Sequence, residues 1–546
     1  MTAEAATAEP VATEPATTGA AAGKPTTSSA AGLRAFAAVG VLAALYVAIA
    51  LPFVVAALLV GLTVRGFGLF TSGQAVLVAE IVIALTALVL EIAGPRRLPS
   101  GISVTARDQP RLWALVRATA RELDVPEPDG IVLTGGTVAE LRAVRRPGIT
   151  LHHHLVLGAC VPASLTEPRL RAVVATALAA RRRRRPPLPD QLALHGLDMV
   201  TGLADAARQR GVLGDAARQF AARYTRLCAP VLDLQQRTQD RYAAGVYGTG
   251  AVADGLDALR RLRTAWQWYR RGYVHAGMAS GCLPADPLGD FRALLADPVR
   301  ARDLAELPAG DPPHPLAVRA DRLRARPLDA KVALRGGTDG ITLGFDEPRR
   351  VAAHLYAYLL ACDDDGIAPA GAFAALDRLT ALDREAFLRQ VSGYRAAYRA
   401  SRLAPAARHA GAEMPVTLGG VLGLLVEGKG ERIAQEHRPP GATASSADTG
   451  PDSPTAAALG ALLACAWVDA GRARWKTTWS GQDDVTAHDG SSLDLAALAA
   501  KALAGPDGAR TLRTAIRDAG VSSYYEVRMP VSFAAAQERE TAVGHR

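Results

Sequence analysis

The sequence predicts a mainly α protein with a small β element (α+β): an N-terminal two-helix transmembrane hairpin, a larger helical domain and C-terminal helical modules. Three observations predict it. Aromatic residues make up 5% of a chain that is 49% hydrophobic, so its cores must be built from Ala, Leu and Val, a composition that favours helix. Two long apolar stretches lie near the start, and apolar residues between positions 110 and 180 recur at helical spacing with short strand-like runs between them. At 546 residues the chain is too long for one ordinary domain and too apolar to be mainly disordered.

Residues 1–32 hold Ala, Thr, Pro and Glu with almost no large apolar side chain, which predicts a disordered cytoplasmic tail. From Ala35 to Val64 there is no charged residue, and those 30 residues would reach ~45 Å as a helix against a hydrocarbon core of ~30 Å. A second apolar stretch runs from Gly73 to Pro95, with Gly66, Gly68, Ser72 and Gly73 supplying a turn. Residues 33–97 therefore read as a transmembrane hairpin with spans at about 35–64 and 73–95. Lys24 and Arg34 precede the first span and Arg96 and Arg97 follow the second, against Arg65 alone in the loop. The positive-inside rule then predicts a multi-pass plasma-membrane protein embedded in the lipid bilayer, with both termini and the soluble domains cytoplasmic. Glu80, inside the second stretch, reads as a protonated or snorkelling carboxyl.

Past the hairpin, Asp108, Pro110, Leu112 and Leu115 open an amphipathic helix reaching Leu123, followed by strand-like runs at Gly130–Leu133 and Leu155–Gly158. Thr166-Glu167-Pro168 then starts a helix whose residues Leu170, Val173, Val174, Ala177 and Leu178 form one buried face. The domain containing these elements is expected over 100–325. A Gly-rich linker follows at 326–348, a helical domain at 349–437, a flexible linker at 438–455 and a small α/β module at 456–546.

Composition excludes several function classes. The five cysteines, Cys160, Cys228, Cys282, Cys362 and Cys465, are dozens of residues apart, unlike a disulfide scaffold or a CxxC zinc knuckle, and fit a reducing compartment. The formal charge of +9 comes almost wholly from Arg, scattered along the chain and interleaved with acids. That pattern lacks the clustered basic face of a nucleic-acid binder, so no nucleic-acid partner is expected.

The order of these pieces resembles the HtpX-type family of membrane zinc metallopeptidases (CAAX-protease and heat-shock metallopeptidase-like). The matching residues are Asp108-Gln109-Pro110-Arg111-Leu112, Ile131-Val132-Leu133-Thr134-Gly135-Gly136, Leu155-Val156-Leu157-Gly158 and Leu170-Arg171-Ala172-Val173-Val174-Ala175. The resemblance implies a zincin-like helical domain in which H-E-x-x-H comes next. Two His four apart would lie on one helical face and hold zinc, with the Glu as base on the metal-bound water. Here the chain reads Thr176-Ala177-Leu178-Ala179-Ala180. Gln236 stands where the family has its third ligand, a Glu, while Asp240, which supports the ligand shell in the family, is retained. The family's closing H-P-x-L-x-x-R element appears here as His314-Pro315-Leu316-Ala317-Val318-Arg319, with the Leu and the Arg each one position earlier.

Thr is at best a poor neutral oxygen ligand, Ala has no donor atom, and Ala177 cannot take a proton from water. The resemblance thus implies a degenerate member without catalytic residues and without a zinc cofactor. Its expected function is that of a non-catalytic binding or regulatory pseudopeptidase, with a polypeptide or protein partner in the relic groove. The alternative is an active membrane metallopeptidase with a rearranged metal site.

Other motifs read more plainly. His152, His153 and His154 fit an exposed strand better than a metal site, since neighbours on a strand alternate faces. Arg181, Arg182, Arg183, Arg184 and Arg185 form a basic helix end suited to anionic lipid or a partner. The run Gly423 to Gly430 spells G-x-x-x-x-G-K, but Gly430 replaces the Ser or Thr that would hold magnesium. Asp363-Asp364-Asp365-Gly366 lacks calcium-loop spacing and reads as a helix end. Trp475 and Trp479, four apart after a helix at Leu459–Arg474, read as a core stripe.

Overall fold

The computed structural model describes residues 34–41, 101–145, 151–182, 188–206, 212–307, 314–334, 379–437, 453–479 and 484–530. In chain order the elements are α1 (34–41), β1 (Ile102–Val104), α2 (Pro110–Glu122), β2 (Gly130–Thr134), β3 (Ala139–Arg145), β4 (Leu151–Gly158), α3 (Cys160–Ser164) and α4 (Glu167–Leu178). Then come α5 (Leu188–Ala206), α6 (Val212–Tyr247), α7 (Thr249–Tyr269), α8 (His275–Ala279), β5 (Cys282–Pro284), α9 (Pro287–Ala296), α10 (Pro298–Ala305) and α11 (Pro315–Arg324). The last are β6 (Thr380–Leu382), α12 (Arg384–Ser401), α13 (Leu403–His409), α14 (Leu418–Val426), α15 (Gly430–His437), α16 (Pro454–Asp469), β7 (Ala473–Trp475), β8 (Val485–Ala487), β9 (Ser492–Leu493), α17 (Leu495–Ala504) and α18 (Pro506–Asp518). Helices dominate and the sheets are small, as the Ala- and Leu-rich composition predicts.

The chain divides into two compact units, Met1–Gly94 with Arg184–Gln236, and Pro95–Arg183 with Arg237–Arg546. In the first, Ala35 and Ala38 of α1 are fully buried with Ala193 and Val200 of α5 and Tyr224 and Cys228 of α6. The Tyr224 hydroxyl donates to the Ala193 carbonyl at 3.2 Å.

These contacts bear on the expected membrane hairpin. Among the described residues no helix is long and apolar enough to cross a membrane, and that finding overturns the expected multi-pass plasma-membrane placement. Most of the apolar hairpin, residues 42–100 with Glu80, lies outside the described residues. Where the first stretch is described, Ala35 and Ala38 face protein while Phe36, Ala37 and Val41 are exposed; the two small buried side chains let α1 pack closely against neighbouring helices.

The second unit is built on a four-stranded sheet ordered β1-β2-β4-β3. Its central pair is parallel, with Ile131 opposite Leu155, Leu133 opposite Leu157 and Thr134 opposite Gly158. β1 and β3 flank it antiparallel. Ile131, Leu133, Leu155 and Leu157 are all at most 1% exposed, and α2, α4 and α7 complete their core through Leu112, Val116, Leu170, Val174, Val252 and Leu256. A β-carbon on Gly158 would overlap the Gly136 carbonyl oxygen, so glycine is what lets the end of β4 approach the turn after β2. Gly255 plays the same part between α7 and α4, where an added β-carbon would come within 2.9 Å of Ala172 Cβ.

The helices beyond β6 share a second core. Ala396, Ala400 of α12, Leu418 and Leu422 of α14, Leu459 and Leu463 of α16 and Leu512 of α18 pack together, so the segments expected as two modules, 349–437 and 456–546, contribute to one apolar cluster. α16 begins at Pro454, capped by the Ser453 hydroxyl, which accepts from the Ala456 N–H at 3.0 Å. α12 also reaches the first core through Phe387, Leu388 and Val391.

Candidate functional site

The stretch whose sequence resembles a metal-binding helix up to Ala175 has Pro168 in the first turn of α4 and carries Thr176 and Ala177 in its last turn. Both are buried, 6% and 7% exposed. The Thr176 hydroxyl donates to the Val173 carbonyl at 2.8 Å, turned back onto its own helix. α4 ends at Leu178, and Ala180 lies in a 3-10 turn over Ala179–Arg181, exposed to solvent. Position 180 has therefore left the helical register on which a four-residue ligand spacing depends.

Asp240, on α6, is 3% exposed. Its carboxylate accepts two bonds from Arg319 of α11, Nε to Oδ2 at 2.9 Å and Nη2 to Oδ1 at 2.6 Å. This is a fork-to-fork pair that occupies both oxygens. Gln236, one turn earlier on α6, is half-buried in the first unit. Thr176 and Asp240 do not fit a zinc ion, the one an inward-turned hydroxyl and the other a carboxylate already paired. Among the described residues no group of three or more His, Cys, Asp or Glu could hold a metal ion.

The same region is knitted by charge. Arg171 of α4 bridges Glu122 of α2 at 3.3 Å and Glu167 at 3.1 Å, and the Tyr247 hydroxyl donates to Glu122. Burial, and then the Glu122 carboxylate, push the Tyr247 phenol well above its ordinary pKa, so it stays a donor. The Tyr242 hydroxyl donates to the Leu123 carbonyl.

The arginine run is only partly described. Arg181 donates to the carbonyls of Pro126, at 3.4 Å, and Glu127, while the Arg182 guanidinium lies 4.0 Å over the Tyr242 ring. Both make contacts within the protein, a use the local spacing did not reveal; Arg183, Arg184 and Arg185 lie outside the described residues.

His152, His153 and His154 sit in β4 and are half-buried rather than exposed, because that strand lies inside the sheet between β2 and β3, with Val144, Ala143 and Arg142 opposite them on β3. Asp129 accepts the His153 backbone N–H at 2.7 Å. Burial first, and then the nearby Arg181, hold the His153 ring below its ordinary pKa.

His314 caps α11, its Nδ1 accepting from the Leu316 N–H at 3.1 Å. Burial, Arg263 and Arg260 lower its pKa, which keeps that nitrogen an acceptor.

Of the remaining motifs, Gly423 to Val426 form the end of α14 rather than a loop, and Lys429 pairs with Glu427 at 2.7 Å. Asp363, Asp364, Asp365 and Gly366 lie outside the described residues. The two tryptophans part company. Trp479 is buried against Tyr269 and Tyr273, and its carbonyl accepts from the Tyr273 hydroxyl and from Arg300 Nε, both at 2.7 Å. Trp475, in β7, is half-buried and lines an open groove with Tyr394 and Arg389 of α12. Neither is on a helix, because α16 stops at Asp469.

No family model matches the chain, and no curated protein or solved structure is similar to it. The groove escaped sequence reasoning because its walls come from segments near positions 280, 390, 475 and 530. The spacing of Trp475 and Trp479 was the one local signal, and it pointed to a core.

Proposed function

We propose that this chain is a non-catalytic, peptidase-like protein that binds or regulates a polypeptide partner. One observation carries the reading. At the positions where an HtpX-type peptidase would place its zinc-binding histidines, Thr176 gives its hydroxyl to Val173 and Ala180 lies beyond the end of the helix. The Asp240–Arg319 pair supports it, since the carboxylate that would steady a ligand shell serves to hold two helices together. A scaffold of this kind keeps a surface shaped by packing while offering no base and no Lewis acid at those positions.

The test is direct. Full-length protein purified without chelator is incubated with casein, with and without a zinc chelator, and its metal content is measured. The expected result is no chelator-sensitive cleavage and no stoichiometric zinc. One zinc per chain, removed together with a proteolytic activity by the chelator, would overturn the proposal.

A further inference from the structure

The second unit carries an open groove of about 690 Å³ between α12, β6, β7 and Pro530. Its walls include Leu382, Arg389, Gln390, Tyr394, Trp475 and Pro530, and none of them belongs to the peptidase-like positions. The Trp475 indole lies against α12 at Gly393, where an added β-carbon would stand 3.3 Å from Nε1. A larger residue at 393 would push the ring aside. The absence of a side chain there brings the Trp475 and Tyr394 rings to the same groove.

Among the described residues the Trp475 Nε1, the Tyr394 hydroxyl and the Gln390 amide have no hydrogen-bond partner within the protein. Two aromatic side chains beside the unused Tyr394 hydroxyl and Gln390 amide suit a polypeptide in the polyproline II conformation. Such a chain makes no internal hydrogen bonds and offers its carbonyls outward, and its rings stack on aromatic side chains. The protein's own Pro530 already occupies one wall.

Arg389 is the one charged side chain among the described residues that line the groove. Arg389 is half exposed and meets Glu385 at 3.6 Å, with Glu385 69% exposed. A surface pair of this kind is worth at most ~1 kcal/mol and exchanges readily for a better-placed carboxylate.

We propose that this groove is a docking site for an extended, proline-containing acidic segment of another protein, with prolines against Trp475 and Tyr394 and a carboxylate on Arg389. The inference stands whether or not the peptidase-like reading does.

Fluorescence anisotropy tests it with the full-length chain and a labelled peptide of repeated Pro-Pro-Glu, compared with Ala-Ala-Glu and Pro-Pro-Gln peptides of equal length. The expected result is saturable binding of Pro-Pro-Glu, with each comparator at least about fivefold weaker, as loss of a stacking or charged anchor requires. Arg389→Glu, a surface change checked by its melting curve, should weaken Pro-Pro-Glu by about fivefold or more and leave Pro-Pro-Gln unchanged. Tyr394→Ala should weaken both. Equal affinity for Ala-Ala-Glu would mean bulk charge attraction, and no saturable binding would mean no peptide site; either overturns the proposal. So does sedimentation showing a dimer that Arg389→Glu dissociates, which would assign the groove to a second copy of the chain.

Discussion

Asp240 and Arg319 lie 79 residues apart in the chain and meet through two hydrogen bonds, at 2.6 and 2.9 Å, with the carboxylate 3% exposed. The pair joins the end of α6 to α11. Removing one partner leaves the other buried and unpaired, which costs far more than the pair itself contributes. Asp240→Ala and Arg319→Ala are each expected to lower unfolding free energy by about 3–5 kcal/mol, and the double variant by less than their sum. Arg319→Lys should fall between, since a lysine keeps the charge and loses the fork. Urea denaturation of the four variants measures this; strict additivity would show that the two residues act separately.

Writing H-E-x-x-H into positions 176–180 should not create a metal site. In T176H/A177E/A180H the first histidine must enter a buried position now filled by a threonine bonded to Val173, at a cost of about 1–3 kcal/mol from overpacking. The second histidine would project from the 3-10 turn. The expected outcome is a lower melting temperature and no stoichiometric zinc by atomic absorption. A variant that gained both zinc and stability would contradict the local geometry of α4.

Two glycines should respond oppositely to a single methyl group. At Gly158 the new β-carbon would collide with the Gly136 carbonyl oxygen, so Gly158→Ala is expected to destabilise by about 2 kcal/mol or more. At Gly245, inside α6, an added β-carbon meets nothing within 4 Å. Gly245→Ala is therefore expected to stabilise by up to about 1 kcal/mol, through lower backbone entropy of the unfolded chain. Thermal unfolding of the pair decides it, and a reversal of the two signs would be fatal to the packing described around β4.

The cap at His314 should make stability fall on mild acidification. Its ring titrates below the ordinary 6.5 because of burial and the charges of Arg263 and Arg260, so the unfolded chain binds the proton more readily than the native one. The native state thus holds this contribution fully above pH 6.5 and loses it as pH drops through the lowered value. His314→Asn keeps a capping acceptor and cannot titrate. Melting temperatures from pH 8 to pH 5 should decline more steeply for the wild type than for the Asn variant; parallel curves would exclude His314 as the source.

The local elements of the sheet region were legible in sequence because their signals are local. Pro110 with the spacing of Leu112 and Leu115 marked α2, the β-branched run at Ile131 and Val132 marked β2, and Thr166 before Pro168 marked the start of α4. The second core was harder. The Pro-, Gly- and Ser-rich segment at 438–455 suggested a boundary between modules, yet α12 and α16 pack together on either side of it. Composition is a property of a segment's own residues and does not report what the elements on either side of it pack against. Hydropathy likewise reports transfer from water and not the partner that provides it: Ala35 and Ala38, at the start of an apolar run, are buried among the side chains of α5 and α6.

By itself the sequence determined that this chain is mainly helical, that its cores are aliphatic, and that the side chains at 176, 177 and 180 lack the donors that bind zinc. Those properties belong to residue types and to neighbours within a few positions. The tertiary structure alone decided that Asp240 closes on Arg319, that Arg182 lies over Tyr242, and that Trp475, Tyr394 and Arg389 share one groove. Each of these joins residues dozens of positions apart, and a contact of that kind depends on how helices and strands pack, which no local pattern of residues encodes.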